Sequence, residues 1–351
     1  MTERARLAAA FSAWFWEAQM RFGNVRNRVL QSAVMLSALA VCALQTLDAE
    51  SFPAAKHPIR IVVPTGPGSP PDVISRIIAT ELADSEGWTM IVENRPGALQ
   101  TIGMADVLKA PADGHSIFPM SLGAMATPTL LPDKGLRLDA DFAPVIKVAI
   151  GYNALVVNAS VSARSLADLV ALLKAHPDQY NFASGGFGTP AHLIGELFKL
   201  QTGVRATHVP YQQGQQRMVD LLNGSIQFDF ITSVRAVDLI RSGKLRALAV
   251  MAPTRVAALN DVPTVIEQGF PDLVVEDFTG WAVKNGTPNE TVARLNAAMN
   301  KVLTNRKVQD PFARIGYEAA GGTPTEFGIF LKSQLDQWRR VVKESGIKMP
   351  Q

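Results

Sequence analysis

Ile59-Arg-Ile-Val-Val63 runs into Pro64-Thr-Gly-Pro-Gly-Ser-Pro-Pro-Asp72, and a stripe of Val73, Ile74, Ile77, Ile78 and Leu82 follows at once. The β-branched run predicts a strand, the stripe at three- and four-residue spacing predicts a helix, and the glycines and prolines between them predict a tight loop. A second glycine-rich turn, Ser184-Gly-Gly-Phe-Gly-Thr-Pro-Ala-His192, also follows a short apolar run and opens a helical pattern. Glycine lets backbone approach a ligand closely, and the unpaired N–H groups and positive dipole end of a helix favour a carboxylate or phosphate placed there. Two such loops suit a ligand held between two lobes.

Working outward, the unit of strand, loop and helix recurs. Thr89 to Val92 precedes a helical Ile102 to Leu108, and Ser116 to Met120 reads as a third strand. This rhythm predicts an α/β fold with a parallel sheet and ligand loops at the strand C-termini. A second set starts after Ala154-Leu-Val-Val-Asn158. It comprises a helix over Leu166 to Leu173 capped by Ser165, strands at Asn181 to Ser184, Ala206 to Val209, Ile226 to Ile231 and Leu245 to Val250, and intervening helices at Ala191 to Leu200, Arg217 to Leu222 and Val237 to Ile240. The chain returns through Phe278 to Val283 and ends in helices at Thr291 to Leu303 and Thr325 to Glu344, expected to close the first lobe. No internal repeat stands out.

The first fifty residues read as an address. Arg21, Arg26 and Arg28 precede an apolar run from Val29 to Leu44, shorter than the roughly 20 residues of a membrane span, and Ala40, Ala43 and Ala49 fit a cleavage region. A secretory signal peptide starting at Met20 is expected, with the mature chain beginning between residues 42 and 53. Cys42 is the only cysteine, so cleavage after it leaves no disulfide or thiolate chemistry. The 351 residues carry 34 basic and 31 acidic side chains, a formal net charge of +3, with no basic stripe, which argues against a nucleic-acid partner. His57, His115 and His176 lie scattered without metal-ligand spacing, and no cofactor or metal is expected. The loops lack the Gly-Lys-Ser/Thr ending of a P-loop and the full dinucleotide pattern. A hydrolase triad of Ser184, His192 and Asp220 lacks the strained nucleophile turn such enzymes need, so a non-catalytic binder is preferred.

Several further stretches, in order, complete a pattern: Pro58 to Pro64 with Pro67, Gly68 and Asp72; Val92-Glu-Asn-Arg-Pro-Gly97; Ala112-Asp-Gly114; Asp141-Phe-Ala-Pro-Val145; Ala183 and Ser184 with Gly186, Gly188, Thr189 and His192; His208-Val-Pro-Tyr211; Asp220-Leu-Leu222; Gly243 to Val250; Asp261-Val-Pro-Thr264; Gly321-Gly-Thr-Pro324; and Trp338. With these the chain resembles the tripartite tricarboxylate transporter substrate-binding proteins, the Bug family of periplasmic solute receptors. The resemblance implies a two-lobed periplasmic binding protein fold of type II, a Venus flytrap, with residues 56–152 plus 276–351 as one lobe and 153–275 as the other. It implies a monomeric receptor that captures a small carboxylate and delivers it to the large and small membrane subunits of such a transporter; a sensor feeding a membrane signalling protein is the alternative.

For the site, the resemblance implies that main-chain N–H groups of Gly68, Ser69, Gly186, Gly188 and Thr189 hold a ligand carboxylate, partly through waters. Asp72 would cap its helix or fix a bridging water, with the cap preferred. Ser184 is expected to offer its hydroxyl to the ligand and His192 to hydrogen-bond beneath the loop. Tyr211 could present its ring or hydroxyl to the cleft, and Asp220 could orient a ligand amine or satisfy its own loop. The sequence departs from the family pattern at Thr65, where an aromatic lid is usual, at Ser69 in place of a glycine, at Leu99 and Gln100 where small residues are usual, and at Gln212 and Gln213 in place of Lys-Gly.

Overall fold

A computed structural model describes residues 52–53, 57–211 and 213–347. The expected signal peptide, Met20, Cys42 and Gln212 lie outside them.

Apolar runs and helical stripes alternate along the first part of the chain as β1 (Ile59–Val63), α1 (Pro70–Glu86), β2 (Met90–Asn94), α2 (Thr101–Lys109), β3 (Ser116–Ser121), α3 (Leu122–Leu130) and β4 (Phe142–Gly151). The middle part supplies β5 (Asn153–Asn158), α4 (Leu166–Ala175), β6 (Asn181–Ser184), α5 (Pro190–Thr202), β7 (Thr207–Pro210), α6 (Gly214–Asn223), β8 (Phe228–Thr232), α7 (Ser233–Arg241) and β9 (Leu245–Val250). The chain then returns as β10 (Asp277–Lys284), α8 (Asn289–Leu303), α9 (Arg306–Arg314), β11 (Tyr317–Gly321) and α10 (Pro324–Ser345).

These strands form two sheets. The first has the order β11-β4-β10-β3-β1-β2 and the second the order β7-β6-β8-β5-β9. The expectation of parallel sheets holds only in part. β1 runs parallel to β2, with Ile59 opposite Met90, and to β3, whereas β10 is antiparallel to both β3 and β4 and β11 is antiparallel to β4. In the second sheet β6 is parallel to β7 and β8, but β5 is antiparallel to β8 and β9. The reason is connectivity. β4 and β5 are separated only by Tyr152, so consecutive strands feed different sheets without a crossover helix, and β10 enters the first sheet from the far side.

The last helix does more than close the first sheet. A capping box fixes its start: the Thr323 hydroxyl accepts from Glu326 N–H at 3.1 Å, and the Glu326 carboxylate accepts from Thr323 N–H at 2.8 Å. From there Phe327, Leu331, Leu335 and Trp338 recur at three- and four-residue spacing on one buried face. That face packs on α3 and β4 and also on α5, so one apolar cluster runs continuously from Met120 and Phe278 through Trp338 to Phe182 and Phe198. No helix among the described residues is long and apolar enough to cross a membrane.

Candidate functional site

The two glycine loops fold alike. Gly66-Pro-Gly68-Ser69-Pro70 and Gly186-Phe-Gly188-Thr189-Pro190, the cores of the two glycine-rich turns, share a five-residue pattern 120 positions apart. The central glycines sit at φ +77° and +70°, the left-handed region that glycine occupies without strain. Ser69 (φ −71°, ψ 157°) and Thr189 (φ −73°, ψ 158°) each stand just before a proline that opens a helix. Each turns its hydroxyl back to the first glycine's carbonyl at 2.7 Å and donates its own N–H to that carbonyl at 3.3 Å. These are loop struts. Thr65 joins the first set, its Oγ1 lying 2.6 Å from Ser69 Oγ.

The residue three places after the cap decides the chemistry beneath each loop. In the first loop Gly68 N–H donates to Asp72 Oδ2 at 2.9 Å, and Arg76 Nε and Asn94 Nδ2 donate to Oδ1 at 3.0 and 2.9 Å. Burial pushes the Asp72 carboxyl up, but these three donors together outweigh it and hold the group below the ordinary range. Asp72 thus reaches back past the cap position to a loop N–H, a variant of the expected cap role.

In the second loop Gly188 N–H donates to His192 Nδ1 at 3.0 Å, so the neutral ring carries its proton on Nε2. His192 stacks on His208 with ring centroids 4.1 Å apart, and Phe187 meets both rings edge-on. Burial drives His192 down to about 4 and, with the nearby His192, Lys199 and Arg217, drives His208 down to about 3. His208 Nε2 lies 2.6 Å from Ser184 Oγ, which accepts from Gly186 N–H at 3.0 Å. His192 therefore sits under the loop as expected.

Between the loops lies a cavity of about 340 Å³ bordered by Gly68, Thr189, Asn153, Arg217, Asp277 and Arg314, among others. Of the residues expected to bind, Gly68 and Thr189 reach it. The N–H groups of Gly68, Ser69, Gly186, Gly188 and Thr189 all donate inside their own loops, those of Ser69 and Thr189 at a long 3.3 Å. The Ser184 side chain is buried beneath the second loop, beside His208 Nε2. Tyr211 donates to Asp220 Oδ2 at 2.7 Å, and Gln216 donates to Oδ1 at 2.8 Å, so Asp220 satisfies its own surroundings. No Ser184, His192 and Asp220 triad assembles, because each of the three has a different partner.

The cavity's charged groups escaped the sequence reading. Arg217, on α6, spans from the cavity to Asp229 at the heart of the second sheet, donating from Nε at 2.7 Å and from Nη2, which also reaches Phe230 O at 3.2 Å. Asp229 is completely buried; burial pushes its carboxyl up and the guanidinium fork opposes that rise. A lone acid inside Phe228-Asp-Phe-Ile231 was the available signal, since a charge in an apolar strand demands a partner. Asp277, at the start of β10, accepts from the Tyr317 hydroxyl at 2.9 Å, and burial pushes it up to about 6. The adjacent Asn153 amide favours its ionised form, though the buried Nδ2 completes no hydrogen bond of ordinary geometry among the described residues. No group of three or more His, Cys, Asp or Glu side chains among the described residues is placed to hold a metal.

Comparison with known proteins accords with this architecture. The chain is 34% identical over 309 residues to protein BugT of Bordetella pertussis, covering 86% of this chain and 93% of that protein. The structure of R. palustris Rpa4515 with adipate superposes with a TM-score of 0.74 at 30% identity, covering 84% of this chain and 99% of the other. The periplasmic binding protein BugD superposes at 0.72 with 28% identity, over 84% of this chain and 99% of its own. The two mixed sheets with their interleaved helices are accordingly the two-lobed periplasmic binding protein fold that was expected. The sequence profile of the tripartite tricarboxylate transporter family receptors matches residues 74–347, and the chain belongs to that family.

Proposed function

We propose that this chain is a periplasmic receptor that captures a small carboxylate in the cavity between its two glycine loops and passes it, chemically unchanged, to the large and small membrane subunits of a tripartite tricarboxylate transporter. The observation that carries the reading is the pair of like-folded loops, each opening a helix, at one cavity of about 340 Å³. That volume lies at the small end of ligand cavities and suits an acid of a few carbons. The adipate held by the R. palustris relative is such an acid. The lobes are taken as residues 56–152 plus 276–351 and residues 153–275, and the receptor works as a monomer without metal or cofactor.

Thermal unfolding of the mature protein with succinate, malate, adipate and aromatic or amino acids tests this. A ligand that binds only the folded form adds about 2.7 kcal/mol at one hundred times its dissociation constant. A raised midpoint with one or more acids is expected. No shift with any acid at millimolar concentration overturns the reading.

A further inference from the structure

Beside the loop backbone at Gly68, Gly185 and Thr189, the cavity carries a fixed cationic side chain that offers an entering carboxylate a second kind of donor. We propose that Arg217, clamped by Asp229, is the specificity-determining anchor of this cavity and holds a ligand carboxylate through Nη1; the inference rests on the carboxylate-receptor reading above.

Three features carry it. First, Nε and Nη2 are consumed by Asp229 and the Phe230 carbonyl, whereas Nη1 makes no hydrogen bond among the described residues. A planar guanidinium fixed along one edge leaves the remaining N–H groups aimed rather than free to rotate, which is how arginine recognises carboxylate. Second, Arg217 borders the cavity together with Gly185, and a Cβ built on Gly185 would stand 4.0 Å from Nη1. The open nitrogen therefore lies against the second loop. Third, the surrounding charges sort the ligand. Asp229 cancels much of the Arg217 charge, so the pair selects by direction, while exposed Arg314 on the same cavity has no ion-pair partner among the described residues and supplies net positive charge. Asp277 borders the same space and repels a carboxylate, confining it to the Arg217 side.

Calorimetry with malate, adipate and their dimethyl esters tests the proposal. Removing Arg217 alone strands a buried carboxylate and threatens folding, so the informative variant is Arg217→Met/Asp229→Leu, which replaces the pair by apolar groups of similar size. This variant should keep its melting midpoint within a few degrees, lose at least tenfold in affinity for whichever acid the wild type binds, and lose its preference for acid over ester. Arg217→Lys, which keeps the buried carboxylate paired, should fall between the two and carries the test if the double variant does not fold. Unchanged affinity and unchanged preference in the folded variants overturn the anchor while leaving the receptor reading intact. A wild type that binds no acid of the thermal-unfolding panel overturns both.

Discussion

The two glycine loops share a backbone and differ in what lies under it. Both place a left-handed glycine before a serine or threonine cap and a proline, and both spend the glycine N–H on the side chain four residues further on. In the first loop that side chain is Asp72, a carboxylate tied to Arg76; in the second it is His192, a neutral ring in an aromatic stack. The short pattern of glycines, cap and proline sets geometry, and one residue three places beyond the cap sets electrostatics. The lesson is that an anion should settle against the second loop, where no negative charge underlies the helix start and Arg217 stands beside it.

The largest expected effect separates the loops by packing. A Cβ at Gly188 would come within 2.9 Å of Leu99 Cδ2 and 3.4 Å of Leu130 Cδ1, whereas one at Gly68 meets nothing within 4 Å. Left-handed backbone strain of about 1–2 kcal/mol applies to both, and overpacking of about 1–3 kcal/mol is added only at Gly188. Gly188→Val should therefore cost about 3–4 kcal/mol and abolish ligand binding, while Gly68→Ala costs about 1–2 kcal/mol. Urea denaturation of both variants decides, and equal losses would break the comparison.

The next effect separates them by pH. His192 titrates near 4 in the folded protein against an ordinary 6.5, so the unfolded chain binds its proton first and stability drains away as pH falls through that interval. For a ring this buried the loss approaches about 3 kcal/mol, and His208 adds to it in the same direction. Asp72 behaves oppositely in position: its carboxyl is held below its ordinary 3.8, so its contribution stays intact above that value and fails only as pH falls lower still. The second loop should soften between pH 6.5 and 4, and the first only below about 4. Hydrogen exchange along a pH series, with His192→Gln as control, reads the order directly; simultaneous softening would contradict it.

Much of this architecture was open to reading before any coordinates. Ile59–Val63, Asn181–Ser184 and Leu245–Val250 are strands at the expected bounds, and Ser165 caps α4 through a capping box with Asp168. Local patterns of this kind depend only on near neighbours. Strand direction does not, and so the mixed sheets were missed. α3 was missed because it is apolar on nearly every side and contains Pro128, which erases the stripe and breaks the propensity signal. α9, with Pro311 inside, was lost for a similar reason, and β11 because Tyr317-Glu-Ala-Ala-Gly321 has little β-branched character. At the site, the loops were legible but the fate of their N–H groups was not. Whether Gly188 donates to a ligand or to His192 depends on which way one side chain folds back.

A smaller effect tests the electrostatic half of the contrast. Asp72→Asn keeps the shape but loses the charge that Arg76 and Gly68 N–H meet, a change of about 1–2 kcal/mol in stability. Because it also removes a like charge near the cavity, affinity for a carboxylate should rise rather than fall. Calorimetry on the folded variant measures the sign. A fall in affinity would place Asp72 among groups the ligand needs and undo the assignment of the anion to the second loop.

The smallest effect concerns what presses on the second loop alone. Ala98, Leu99 and Gln100 hold φ values of +45°, +51° and +71°, three successive left-handed residues without a glycine among them. Leu99 is braced from both ends, its carbonyl accepting from Thr127 Oγ1 at 2.9 Å and its side chain lying against Gly188. Gln100 is held more weakly, with Nε2 donating to Ser121 Oγ at 3.3 Å. Replacing Gln100 by glycine relieves about 1–2 kcal/mol of left-handed strain and restores about 0.4–1 kcal/mol of unfolded-chain freedom, a net gain of about 0.8 kcal/mol. Leu99→Gly relieves the same strain but removes the side chain that supports the loop, so it should lower stability and loosen ligand binding together. Thermal midpoints of the two variants separate strain from support. If Gln100→Gly lowers the midpoint, the segment is held by its side-chain bond to Ser121 rather than merely tolerated, and the pressure on the second loop comes from the whole turn rather than from Leu99.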